Sequence, residues 1–330
     1  MAGNKSLRDA NANKEDEFYT QLSYIEEELR HYKPHFQGKT VLCNCDDPRV
    51  SNFFKYFALN FEHLGLKRLI TTCYKNQDIN LFTENEAEKA VYLIYEGDKN
   101  GNRQIDLDEI EVHELQGDGD FRSKECIELL KQADIVVTNP PFSLFRVYLD
   151  QLMQYDKKFI LIGSQNMLTY REVFTLLKEN KIWLGYHFGD MKFKVPDYYE
   201  PRETRFWIDE TGQKWRSMGN ICVFTNLDIV KRHEDLLLHK HYSEAEYPKF
   251  DFYDAIFVGK VADIPVDYDG LMGVPMQFFD KYNPDQFEIV DGIGRYSMLT
   301  GPTAETKGKY LTTVNGKPKF ARTIIRRKKQ

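Results

Sequence analysis

Along the first two thirds of the chain, short apolar runs end abruptly at polar residues and alternate with stretches whose apolar positions recur every three or four residues. The sharpest run is Asp134-Ile135-Val136-Val137-Thr138, where three β-branched residues precede the return of polarity at Thr138. That pattern predicts a central strand of a parallel sheet covered on both faces. Lys39 to Cys45, Leu66 to Cys73, Glu111 to Leu115 and Lys158 to Ile162 predict further strands, and Ile182 to Phe188 with Ile221 to Thr225 predict an antiparallel hairpin at the sheet edge. Helical spacing joins Leu22, Ile25 and Leu29 before Pro34 and Gly38. A second helix opens at Ser51-Asn52 and carries Phe53, Phe54 and Phe57, and others cover Leu144 to Tyr155 and Val173 to Leu177. Strands alternating with helices define an α/β protein. Beyond Asp228 the pattern loosens into short segments punctuated by proline and glycine, then a basic, strand-like end.

With 330 residues, 42% of them apolar, the chain has the material for one large domain or two. Met1 to Ser6 hold no apolar segment and no run approaches bilayer-spanning length, so a cytoplasmic location is expected. Five cysteines without a CxxC pair are expected as reduced core thiols. His31 and His35 have i,i+4 spacing, but Pro34 intervenes and no third ligand is evident, so no metal is expected. The net charge of −6 conceals an asymmetry, because residues 301–330 hold nine basic side chains, Arg322, Arg326 and Arg327 among them, against Glu305 alone. That basic end fits a phosphate-contacting surface, or a solvated tail with no partner. Lys192 and Lys194, followed by Trp207 and Trp215, interleave basic and aromatic residues in a way that suits either a DNA-facing insert or local packing.

The central run stops at Asn139-Pro140-Pro141-Phe142. Each proline fixes φ and removes a backbone donor, and Pro140 also restricts Asn139, so acceptors are held at the sheet's carboxyl edge, where open α/β sheets bind ligands. This loop suits methylation of a flat amino group. An exocyclic purine amine is a poor nucleophile because its lone pair is conjugated into the ring. The Asn139 side-chain oxygen and the Pro140 carbonyl can hold both N–H bonds and aim that lone pair at an electrophilic methyl, with Phe142 against the face of a base turned out of a duplex. The same four residues also fit a proline turn that closes a strand, with Phe142 as core.

The tetrad resembles the catalytic loop of S-adenosylmethionine-dependent amino-methyltransferases acting on adenine N6. Asp16-Glu17-Phe18-Tyr19-Thr20, Cys43 through Phe54, Gly117-Asp118-Gly119-Asp120-Phe121-Arg122-Ser123 and Met272-Gly273-Val274-Pro275 resemble blocks of the EcoRI-type DNA adenine methyltransferases. The resemblance implies a Rossmann-like seven-stranded methyltransferase sheet with a C-terminal target-recognition region. The expected division is a catalytic domain over 1–230, with inserts at 75–112 and 189–220, and a recognition region over 231–330. S-adenosylmethionine is the implied cofactor, held by Phe18, Tyr19 and Thr20, by Asp46, Asp47 and Pro48 after the first strand, and by Asp120 and Phe121 beside the adenosine. Double-stranded DNA with a flipped adenine is the implied substrate. A monomer is expected, together with a cognate restriction endonuclease acting on the same site without stable contact.

Two stretches depart from that pattern or distract from it. Common methyltransferases have a glycine-rich turn after the first strand, whereas Asp47-Pro48-Arg49-Val50-Ser51-Asn52-Phe53 has no glycine, which lets the backbone approach a cofactor less closely. Asp98 to Glu109 has the acidic and amide spacing of an EF-hand loop, but Arg103 stands where glycine is needed, so a β-hairpin turned at Asn100-Gly101 is expected instead. Thr20 also fits a helix cap. The competing functions are a methyltransferase of RNA adenine or of a protein glutamine amide, and a non-catalytic DNA- or calcium-binding module.

Overall fold

The computed structural model describes residues 19–44, 51–72, 90–102, 105–195, 197, 199–294 and 310–328. The chain divides into two units, one of residues 1–163 and 187–227, the other of residues 164–186 and 228–330. The elements open with β1 (Tyr19–Thr20), α1 (Leu22–Leu29), α2 (Lys33–Phe36), β2 (Thr40–Cys43), α3 (Asn52–Leu59), α4 (Phe61–Leu64) and β3 (Arg68–Thr72). They continue with β4 (Val91–Tyr95), β5 (Ile110–Glu114), α5 (Lys124–Gln132), β6 (Ile135–Thr138), α6 (Phe145–Gln154) and β7 (Lys158–Ser164). After α7 (Arg171–Lys178) come β8 (Trp183–Lys194), β9 (Phe206–Ile208) and β10 (Lys214–Thr225).

These strands form one mixed sheet in the order β1-β8-β10-β7-β6-β2-β3-β4-β5, with β9 paired to β10. Its centre, β3-β2-β6-β7, is parallel. β2 and β6 are buried along their whole length, as their unbroken apolar runs require. Their register is pinned by a reciprocal pair in which the Asp134 carboxylate accepts from the Thr40 N–H at 2.8 Å and the Asp134 N–H donates to the Thr40 carbonyl at 2.9 Å. From β2 the chain passes through α3 and α4 to β3 on one side; from β6 it passes through α6 to β7 on the other. The strand order therefore reverses between β2 and β6. A crevice outside their carboxyl ends is the ligand position that such a reversal creates.

The sheet has ten strands rather than the seven that the family resemblance implies. β4 inserts between β3 and β5, antiparallel to both, and β1 adds an antiparallel edge beside β8. The partial exposure of Val91, Tyr92 and Ile94 suits an antiparallel strand covered unevenly, and no parallel crossover is needed to reach it. β4 and β5 do pair antiparallel as the expected hairpin, with Asn100-Gly101 in the connection between them and Gly101 at positive φ. In that connection Asp98 accepts from the Gly101 N–H at 2.6 Å and the Glu109 carboxylate accepts from Lys99 N–H at 2.8 Å and Asn100 N–H at 3.2 Å. Arg103 lies outside the described residues. Among the described residues no three His, Cys, Asp or Glu side chains are grouped to hold a metal ion.

The 189–220 stretch opens on the end of β8 and closes on the start of β10, with β9 between them paired to β10. Asp209 organises the turn between β9 and β10, accepting from Thr211 N–H and Oγ1, Gln213 N–H and Trp215 Nε1. The Thr211 hydroxyl and then the Trp215 indole hold its carboxyl down at about 2, below the ordinary 3.8. The folded-state value is depressed, so the carboxylate's contribution to hairpin stability is present above the ordinary value and is lost as pH falls through about 2. Carbon-detected NMR titration of Asp209 is expected to show a midpoint near 2; a midpoint near 3.8 would mean that the turn does not hold these bonds in solution.

The second unit contains β11 (Ile256–Phe257), β12 (Met272–Pro275), β13 (Phe287–Ile293), β14 (Thr313–Val314), β15 (Lys317–Pro318) and β16 (Arg322–Arg327). β11, β12, β16 and β13 form a sheet in that order, and β16 is antiparallel to both β12 and β13. The basic end is thus no solvated tail over residues 310–328. Thr323, Ile324 and Ile325 are buried between two neighbouring strands, and their apolar character outweighs the flanking charge. Arg322, expected at a phosphate-contacting surface, is only 8% exposed. Its guanidinium lies over the Phe257 ring at 4.9 Å and donates to the carbonyls of Phe320 and Ala321 at 3.2 and 3.0 Å, so it is spent inside the protein.

Candidate active site

The carboxyl ends of β2 and β6 are tied together by side chains from four parts of the first unit. Asn44, the residue after β2, accepts a hydrogen bond from Thr138 Oγ1 on its backbone carbonyl and another from the Tyr148 hydroxyl of α6 on its side-chain oxygen. Asn139, the residue after β6, is buried and donates from Nδ2 to Thr20 Oγ1 at 3.2 Å. The Thr20 carbonyl in turn accepts from Asn52 Nδ2 at 2.7 Å, which joins β1 to the start of α3.

Thr20 is not a helix cap. Gln21 occupies the N-cap position of α1 and makes no side-chain capping bond, whereas Thr20 pairs with Phe193 of β8 as an edge-strand residue. Its buried hydroxyl is therefore placed by the sheet and meets the Asn139 amide. Tyr19 pairs with Lys194 in the same ladder. Pro140 is buried, and the Pro141 carbonyl accepts from the Leu144 N–H at 2.9 Å, which turns the loop into α6. Phe142 is 7% exposed, its ring packed within the protein.

After β5, Phe121 stands edge-on to Tyr148 at 4.9 Å, and its carbonyl accepts from Gln151 Nε2 at 3.1 Å. Asp120 beside it is held by Arg122, whose backbone N–H and Nε both reach Oδ1 at 2.8 Å while Nη2 reaches Oδ2 at 2.5 Å. The Arg122 hydrogen bonds hold the Asp120 carboxyl below its usual range, favouring the carboxylate form. A carboxylate offers about four lone-pair sites, and these three bonds leave capacity for one more donor at Oδ2. A carboxylate with spare acceptor capacity next to an aromatic edge fits an adenine ring and its amine. The buried Thr20 hydroxyl and the Asn44 amide fit the polar end of the same cofactor. Phe18, Asp46, Asp47 and Pro48 lie outside the described residues.

Asn44, Asn52, Tyr148 and Gln151 were not legible as site residues. A signal for Asn44 existed, since an amide directly after an apolar strand stands at the same edge as Asn139. Of the basic residues, Lys192 and Lys194 are exposed on β8, alternating with the buried Met191, Phe193 and Val195, and Lys194 lies 5.6 Å over the Trp215 ring, which stacks on Trp207 at 6.0 Å. Arg326 is exposed, 3.8 Å from Glu288, and Arg327 is half-buried.

The model of the EcoRI adenine-specific methyltransferase family matches residues 6–328. Type II methyltransferase M.EcoRI of Escherichia coli is 49% identical over 99% of this chain and 98% of its own length. M.MgeORF184P of Mycoplasma genitalium is 39% identical over 95% of this chain and 96% of its own, and M.MpnI of Mycoplasma pneumoniae is 36% identical over 96% of each. No solved structure matches the chain. The chain belongs to the EcoRI family of adenine-specific methyltransferases, and it is a site-specific DNA adenine methyltransferase. Membership implies S-adenosylmethionine as methyl donor and overturns the non-catalytic module. No helix among the described residues is long and apolar enough to cross a membrane.

Proposed function

We propose that this chain flips an adenine out of double-stranded DNA and methylates its N6, with S-adenosylmethionine bound against Tyr19, Thr20, Asp120 and Phe121 and against Phe18, Asp46, Asp47 and Pro48. The observation that carries this reading is the fixed orientation of Asn139 at the strand reversal. Its Nδ2 is committed to Thr20 Oγ1, which assigns the other end of the amide, Oδ1, to the role of acceptor. Pro140 has no N–H and contributes its carbonyl as the second acceptor. Together they hold the amine's two hydrogens and direct its lone pair. Bound there, S-adenosylmethionine would supply the electrophilic methyl that this lone pair takes up, the sulfonium C–S bond breaking as the N–C bond forms and the thioether S-adenosylhomocysteine leaving. As the amine becomes cationic the two acceptors bind it more strongly than in the ground state, which is catalysis by differential binding. The proton then leaves to water, and no general base is required. Phe142 stacks on the base; its packed position means that the loop opens around the ring as the base enters.

Lys192, Lys194, Arg326 and Arg327 supply phosphate contacts in this reading, with residues 1–230 as the catalytic part and 231–330 reading the target sequence. The enzyme works as a cytoplasmic monomer, and a restriction endonuclease cleaving the same site is its functional counterpart. Sequencing modified adenines in DNA from cells that express the chain tests the proposal. N6-methyladenine at one short recurring sequence is the expected result. Unmodified DNA, with methylation found in RNA or at protein glutamine, would overturn it.

A further inference from the structure

Phe320 is 89% exposed, the most exposed of the large apolar side chains among the described residues. It does not sit on a loose loop. The turn before it, Asn315-Gly316, has both residues at positive φ, 49° and 71°, as a two-residue hairpin between β14 and β15 demands. The N–H groups of that turn donate to the two oxygens of Asp251, each at 2.9 Å. Lys319 N–H donates to the Thr312 carbonyl at 3.0 Å, and the Lys319 carbonyl accepts from Thr312 Oγ1 at 2.9 Å. On the other side, the buried Arg322 guanidinium grips the carbonyls of Phe320 and Ala321, backed by the Phe257 ring. Backbone bonds therefore brace the chain on both sides of a phenylalanine ring that points into water.

The surroundings match a polyanion. Between Tyr310 and Arg322 the sequence has no acidic residue; Lys317 is exposed three positions from the ring, while Lys319 lies 5.6 Å over the Phe257 ring and the Asp251 carboxylate is taken up by the N–H groups of Asn315 and Gly316. An apolar ring presented between cations on a rigid support is the device with which proteins enter a DNA base stack, because phosphates are drawn to the lysines while the ring replaces a lost stacking partner.

We propose that Phe320 is an apolar wedge that enters the bound duplex and unstacks one base step. This rests on the reading of double-stranded DNA as the substrate. Arg322 then acts as a positioning residue for the wedge, which accounts for a buried arginine in a basic segment.

Phe320→Ala tests the wedge in the full chain. Because the ring is exposed, the melting temperature is expected to stay unchanged. Duplex dissociation constants are expected to rise roughly tenfold to a hundredfold. The slope of affinity against salt stays as in wild type, since no phosphate contact is lost. 2-Aminopurine placed in turn at each position of the site is expected to brighten at one step with wild type and to stay dark there with the variant. A mismatch at that step restores the variant's affinity, because the unstacking cost is already met by the DNA. Phe320→Leu keeps most of the effect. A variant that binds and brightens DNA like wild type overturns the proposal, as does a loss that no mismatch restores or that changes the salt slope. If wild type itself binds no duplex, the DNA reading fails instead, which is a separate outcome.

Discussion

Asn139→Ala is expected to slow methyl transfer by about a hundredfold to a thousandfold, the usual loss when a preorganised polar partner of the reacting group is removed. Cofactor affinity should be nearly unchanged, because the proposed contact is to the target amine. Single-turnover measurement with saturating cofactor isolates the step. The Thr20 bond gives the experiment a second arm. Thr20→Val removes the acceptor that fixes the Asn139 amide, so it should also slow transfer, but to a lesser degree. In the Asn139→Ala background the same change should cost the chemical step almost nothing more, since there is no amide left to orient. Near-normal turnover by Asn139→Ala would sink the catalytic assignment. Additive losses in the double variant would sever Thr20 from it and leave Thr20 as a cofactor contact only.

The second large effect is structural. Gly273→Ala is expected to destabilise the second unit by about 1–3 kcal/mol, the range for overpacking a filled core. A β-carbon there would stand 2.3 and 2.5 Å from two ring atoms of Phe250. That ring cannot retreat freely, because it is buried among Ala255, Ile293, Leu311, Val314 and Ile324. Denaturant midpoints for wild type, Gly273→Ala and Gly273→Ala with Phe250→Leu decide the matter. Recovery in the double variant identifies the clash. A single variant as stable as wild type would mean that the ring has room the structure does not show. The residues proposed to hold the cofactor all belong to the first unit, so cofactor affinity should be the same in all three proteins.

Much of the first unit was legible because its sequence signals are local. Ile135-Val136-Val137 can hardly be anything but a doubly covered strand. Ser51 marks a helix start, and its hydroxyl does accept from the N–H three residues on, as the Ser123 hydroxyl does at the start of α5. The Asn-Pro-Pro loop announced its position through proline geometry alone. What failed to show was convergence over distance. Asn44 meets Thr138 across 94 residues and Tyr148 across 104, and no periodicity records such a meeting. The C-terminal end misled for another reason. The basic, strand-like end is a strand, but net charge over residues 301–330 does not separate the buried Arg322 from the more exposed Arg326 and Arg327, and the short Thr323-Ile324-Ile325 run between them places β16 inside a sheet. The hairpin of β4 with β5 was legible, but Val91 to Tyr95 carries no sign that β4 also pairs with β3.

The first unit is not continuous in the chain, and its sheet order decides when it can be finished during synthesis. β10 lies between β7 and β8, so after β7 has emerged from the ribosome its outer edge stays unpaired until residues up to Thr225 have followed. Through that interval the nascent protein carries a buried-type strand, Phe159 to Ile162, with an open row of backbone donors and acceptors, the kind of edge that recruits other chains. A pause in translation after β7 has emerged and before β10 has done so prolongs that exposure. Slow codons or a stalled message that hold the chain at that stage should therefore lower the yield of soluble enzyme far more than the same delay placed after β10 has emerged.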